Sequence, residues 1–116
     1  MSQNCISLLN NEGTLTESFR RLLKEVFIKY DLDKDGILNK EELKYYFSSV
    51  SDGPYDDSGM DLIMLCMCGR TDRFTLEDFY TFYEFQSRHN SYEVLDDLLR
   101  LYSKDVILER LKPSQL

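Results

Sequence analysis

Apolar residues recur along this chain at helical spacing in several separate stretches, divided by short runs of acid, glycine and proline. Phe19, Leu22, Leu23, Val26, Phe27 and Tyr30 stand at i, i+3, i+4, i+7, i+8 and i+11. That period predicts an amphipathic helix with one apolar stripe, running directly into Asp31. Thr14 with Glu17 has the spacing of a capping box ahead of it. Leu43, Tyr46, Phe47 and Val50 predict a second helix, capped by Asn39 with Glu42 at its third position. Ser51 to Gly59 holds Gly53-Pro54 and Asp56-Asp57-Ser58-Gly59 and reads as an acidic linker. Met60 to Cys68 is apolar on nearly every side, which predicts a helix buried on more than one face. Thr75 with Asp78 caps a fourth helix carrying Phe79, Tyr80, Phe82, Tyr83 and Phe85. A fifth begins at Ser91, with Tyr92, Leu95, Leu98, Leu99, Tyr102, Val106 and Leu111 in helical register and Pro113 beyond its end. Ser103 is the point at which that helix can divide in two. Residues 1–13 are polar with little period and read as a flexible arm.

Between the first two helices lies Asp31-Leu32-Asp33-Lys34-Asp35-Gly36-Ile37-Leu38-Asn39-Lys40-Glu41-Glu42. A hard divalent cation takes six to eight oxygens at short range, and this spacing brings them to one point. Asp31, Asp33 and Asp35 offer carboxylate oxygens, Ile37 its backbone carbonyl, Asn39 its side chain directly or through a water, and Glu42 two oxygens at once. Gly36 permits the positive φ that folds the chain around an ion. Leu38 points away into a core. A solvated acidic turn is the plainer alternative, but it leaves the glycine, the apolar eighth residue and the flanking helices unaccounted for. The expectation is one calcium ion, held at roughly micromolar to hundred-micromolar strength by a site with this ligand count and no competent partner.

The stretch 67–78 repeats this frame with its chemistry removed. With Phe74 placed on Leu38 and Asp78 on Glu42, Met67, Gly69 and Thr71 replace Asp31, Asp33 and Asp35, and Asp72 replaces Gly36. Asp78 alone can ligate, and it is one methylene short of a two-oxygen grip. A structural partner is expected, with Ile37-Leu38 set antiparallel against Arg73-Phe74.

On these residues, 16–87 resemble the EF-hand superfamily, and look like one lobe of a calmodulin-like protein with a calcium-competent hand followed by a silent one. The resemblance implies an all-α fold of paired helix–loop–helix units joined by a short inter-loop β contact, calcium as ligand, and partner binding through an apolar groove. The divisions expected are a flexible N-terminal arm over 1–13, the EF-hand pair over 14–87 and a C-terminal helical extension over 88–116.

Composition narrows the function. The 116 residues carry 42% hydrophobic residues and a net charge of −7, which suits one globular domain and opposes nucleic acid or anionic membrane as main partners. The charge is uneven: residues 31–86 hold thirteen acids against five bases, whereas 1–30 hold three against four and 87–116 five against five. Cys5, Cys66 and Cys68 are too few for a disulfide framework, which suits a reducing compartment. The amino terminus has no basic and apolar leader, position 2 is not Gly, and no run reaches membrane-span length. A cytoplasmic protein follows, with association to the cytoskeleton an option. The Cys66/Cys68 pair has no second pair and His89 stands alone, so neither zinc nor thiol catalysis is indicated. Met60, Met64 and Met67 form a stripe that either packs in the core or offers an adaptable surface to a target helix, with core packing favoured. The sequence therefore reads as a non-enzymatic calcium-binding sensor or adaptor that binds a protein partner, such as a helical segment. Its alternative is a structural subunit or docking module that calcium only stabilises.

Overall fold

A computed structural model of the protein describes residues 8–50 and 56–111. Among them are α1 (Glu17–Tyr30), β1 (Ile37–Leu38), α2 (Lys40–Val50), α3 (Asp57–Cys68), β2 (Phe74–Thr75), α4 (Leu76–His89), α5 (Ser91–Leu101) and α6 (Lys104–Leu111). The all-α class and the short β contact are as expected. The C-terminal helix divides in two at Ser103, the point the sequence offers. The chain leaves helical geometry at Tyr102, and Ser103 then starts α6, its Oγ accepting from the Val106 N–H at 3.3 Å.

Every apolar residue predicted for α1 and for α2 is buried. The cap of α1 differs from expectation. Thr16 accepts from the Phe19 N–H, while Thr14 takes a hydrogen bond from the Asn10 side chain at 2.7 Å. Thr14 is occupied because residues 8–15 fold back on themselves. Leu9 bridges to Leu15, both Leu8 and Leu15 are buried, and the Arg88 Nε donates to the Gly13 carbonyl at 2.8 Å. Residues 8–13, assigned to the arm by their polarity, thus include a buried leucine. The remainder of that arm, the linker over 51–55 and Pro113 lie outside the described residues.

The two helix–loop–helix units meet at the ladder. Leu38 lies opposite Phe74 and Ile37 opposite Thr75. The expected Ile37-Leu38 to Arg73-Phe74 match is corrected by one residue. In an antiparallel pair, seating Leu38 on Phe74 sends the next partners in opposite directions along the chain. Both Leu38 and Phe74 are fully buried. Around them lies an aromatic core: Phe79 meets Phe27, Tyr46, Phe74 and Tyr83 at ring-centroid distances of 5.2–6.2 Å, mostly edge-on. Such pairs add about 0.5–1.5 kcal/mol each beyond their area burial.

Two faces differ from the periodicity argument. Helix α3 begins inside the acidic stretch read as linker, because the Asp56 side chain caps it by accepting from the Gly59 N–H at 2.7 Å. It is not buried all round. Met60 and Met64 are in the core, but Leu62 and Leu65 stand 67% and 52% exposed, because its main packing is against α2 and α4 only. In the C-terminal region, Tyr92, Leu99 and Val106 face solvent, and Val94, Leu98, Ile107 and Leu111 are buried. An eleven-residue helix rich in leucine offers more than one apolar face, and packing chose the one at 94 and 98. Helix α5 lies against α2 and α4, and α6 returns to α1. No described helix is long and apolar enough to cross a membrane.

Candidate metal centre

The first loop places Asp31 at the end of α1 and Glu42 in the first turn of α2, both buried, with Asp33 and Asp35 exposed between them. One carboxylate oxygen from each of these four residues lies within 4.8 Å of the others. Lys34 and Gly36 adopt positive φ, at 57° and 86°, so the chain curls twice within three residues. At position 36 that conformation is inexpensive only without a Cβ.

Backbone amides hold the carboxylates in place. Asp31 accepts from the Asp35 N–H at 3.3 Å and the Gly36 N–H at 2.8 Å. Glu42 accepts from Leu32 and Asp33 on one oxygen, at 2.8 and 3.2 Å, and from Asn39 on the other at 2.9 Å. Asn39 returns the last bond, its Oδ1 accepting from the Glu42 N–H at 2.8 Å. This reciprocal pair is the capping box predicted for α2. Ile37 lies in β1, so the ladder fixes the backbone of the seventh loop residue.

The electrostatics match a cation site. Desolvation raises the Asp31 carboxyl, but the Gly36 and Asp35 amides outweigh it and lower its pKa overall. Asp33 has no such support. Desolvation and then its neighbours Asp35 and Glu42 push it up to about 6. Like charges this close disfavour one another's ionisation unless a cation lies among them. The donors are all hard oxygens in the number and loop length that suit calcium, so the residues fit that ion.

The second loop has the same frame and a different closure. Thr75 and Asp78 form a full capping box on α4. Gly69 ends α3 with φ +74°. The Asp78 carboxylate is bound by the Arg70 guanidinium, which raises the Arg70 pKa. Among the described residues, the acidic cluster of the first loop has no counterpart here.

One group of residues escaped the sequence reading. The hydroxyls of Tyr46 on α2 and Tyr83 on α4 share a short hydrogen bond in the core, and the Tyr83 hydroxyl donates to Asp97 on α5 at 3.0 Å. Burial holds both phenols well above their ordinary pKa. Burial also lifts the Asp97 carboxyl to about 6, although the Tyr83 bond pulls the other way. The available signal was the polar residue Asp97 between Val94 and Leu98, but its partners lie fourteen or more positions away.

Residues 22–53 match the family model of the EF-hand domain. No curated protein matches the chain. A helix ending at Tyr30, a loop that gathers Asp31, Asp33, Asp35 and Glu42, and a helix capped by Asn39 and Glu42 occupy that matched stretch, which thus has the helix–loop–helix form of the EF-hand domain it matches.

Proposed function

We propose that the protein is a non-enzymatic calcium-binding sensor or adaptor with one ion site, working in the cytoplasm on a protein partner. The observation that carries it is the gathering of four carboxylates on an EF-hand frame, with the last of them built into the head of α2. Asp31, Asp33 and Asp35 would each offer an oxygen, Ile37 its carbonyl, and Glu42 two oxygens. Asn39 would act through a water, because its Oδ1 is already engaged in capping α2. When bound, the ion supplies the positive charge that four crowded carboxylates lack. The chain then links the site to the rest of the fold through Glu42 at the start of α2 and Tyr30 at the end of α1. The silent second hand serves as scaffold, its Asp78 taken by Arg70.

A second reading has its own observation. Five backbone amides already hold Asp31 and Glu42 inward, so the loop has a closed shape of its own. On that reading calcium fastens a docking module rather than switching it.

Calorimetric titration with calcium and with magnesium, on the wild type and on Glu42→Gln, tests the site. One calcium per chain, weakened strongly by the substitution, is the expected result. No calcium heat from the wild type defeats the proposal. An apolar dye then separates the two readings: a change in its binding on adding calcium supports the sensor, and no change supports the fastener.

A further inference from the structure

We infer that α5–α6 is an internal ligand of the EF-hand pair, and that its docking and calcium binding at the first loop strengthen one another. The inference rests on the calcium reading above and adds what the ion controls.

The tail occupies the faces that would otherwise be open. Helix α5 buries Val94 and Leu98 against α2 and α4, and α6 buries Ile107 and Leu111 while Arg110 pairs with Glu25 of α1. Three of the four helices of the pair therefore have their apolar surface completed by residues beyond His89. The connection from loop to tail is continuous. Tyr46 stands one turn beyond Glu42 on α2, and both are buried. Its ring packs edge-on against Tyr30, the residue just before Asp31, with centroids 5.1 Å apart. Tyr46 thus touches the entrance of the loop and shares a helix with its exit. Its hydroxyl meets that of Tyr83, and Tyr83 gives its single proton to Asp97, so Tyr46 is the donor to Tyr83. The chain of bonds ends on α5, between Val94 and Leu98.

The sign of the coupling follows from what the tail supports. With α5 seated, the four carboxylates are gathered and Glu42 points into the loop. Helix α5 packs on α2 and, through Tyr83 and Tyr46, braces Tyr30, so displacing it removes support from both ends of the loop and weakens the site. Reciprocity requires that calcium hold the tail down by the same factor. A partner that displaces the tail must mimic it: a helix with two apolar residues four apart and, one position before the second, a hydrogen-bond acceptor for Tyr83.

Calorimetry on the full chain tests this with Leu98→Glu, which places a charge against α2 and α4, and with the exposed Leu99→Glu as control. Calcium affinity should fall at least about fivefold in Leu98→Glu, the low end of ordinary coupling, and hold in Leu99→Glu. Should Leu98→Glu fail to fold, Tyr83→Phe keeps the ring, cuts the relay at its centre and should lower affinity in the same direction. Hydrogen exchange on the wild type needs no variant: calcium should slow the amides of α5 by a larger factor than those of α3. Equal affinities across the folded variants, or α5 amides that calcium leaves unchanged or speeds up, overturn the inference while leaving the calcium site intact. Absence of calcium binding by the wild type removes both.

Discussion

The two loops share one frame and differ in what closes it. Each follows a helix, passes through a ladder residue buried against its counterpart, and ends in a capping box at the head of the next helix. The first converges four carboxylates on a point. The second keeps one acid, Asp78, and supplies its own cation in Arg70. Over twelve residues each, the first carries five acids and two bases, the second three and two, giving −3 against −1. A guanidinium in place of an ion keeps the frame at the cost of responsiveness, since it is always present.

The shared frame is the first thing to break. Leu38→Ala removes a fully buried side chain from the seam between the loops. Stability should fall by about 2–5 kcal/mol in denaturant unfolding, with calcium present or absent, because both units lose their common contact. A loss seen only without calcium would show that the seam depends on the ion.

The differing closures are tested next. Glu42→Gln should lower calcium affinity by about a hundredfold or more, since the loop loses a charge and a two-oxygen grip together. Asp78→Asn, its counterpart, should leave stoichiometry and affinity unchanged within about twofold in the same titration, because a guanidinium already occupies that carboxylate. A marked change there would mean that the second loop contributes to ion binding.

Protonation sharpens the contrast further. The Asp33 carboxyl is raised to about 6, so it takes up a proton as pH falls through that value, and a protonated acid is a poor ligand. Calcium affinity should fall about tenfold between pH 7 and pH 5, in a titration series at constant ionic strength. In the calcium-free protein the same raised pKa has the opposite consequence. The folded state binds this proton more readily than the unfolded chain, so Asp33 contributes stability as pH falls from about 6 toward its ordinary range near 4. A flat affinity profile would show that the carboxylates are not crowded in solution.

The smallest effect belongs to the internal cation. Arg70→Met should lower the denaturant midpoint only slightly, because the pair is partly exposed and Asp78 keeps its capping bonds to Thr75. The variant should still bind one calcium by calorimetry. A second equivalent would reveal that Arg70 alone kept the other loop silent.

Most of the hand was legible because its determinants are local. A twelve-residue ligand spacing, Asn39 three positions before Glu42, Thr75 three before Asp78, and the stripes of α1 and α2 are short-range patterns, and the fold respects each of them. Arg70 on Asp78 joins residues only eight apart, yet it went unread. Aligned loop positions show which ligands are missing and not what replaces them. The cap of α1 was misplaced by two residues because Thr14 and Thr16 are equally good acceptors on paper, and the turn from Asn10 engages the first.

The sequence by itself determined the acidic loop, the second loop that lacks its carboxylates and the four helices around them, because residue spacing, capping and helical period are properties of neighbours along the chain. Tertiary structure alone decided which face of α5 is buried, that α3 exposes Leu62 and Leu65, and that Tyr46, Tyr83 and Asp97 join three helices in one relay. Those outcomes depend on what packs across from each residue, and a leucine or a tyrosine does not carry the identity of its distant partner. The acidic loop is written in the order of residues; the connection from that loop to the tail exists only once the helices are assembled.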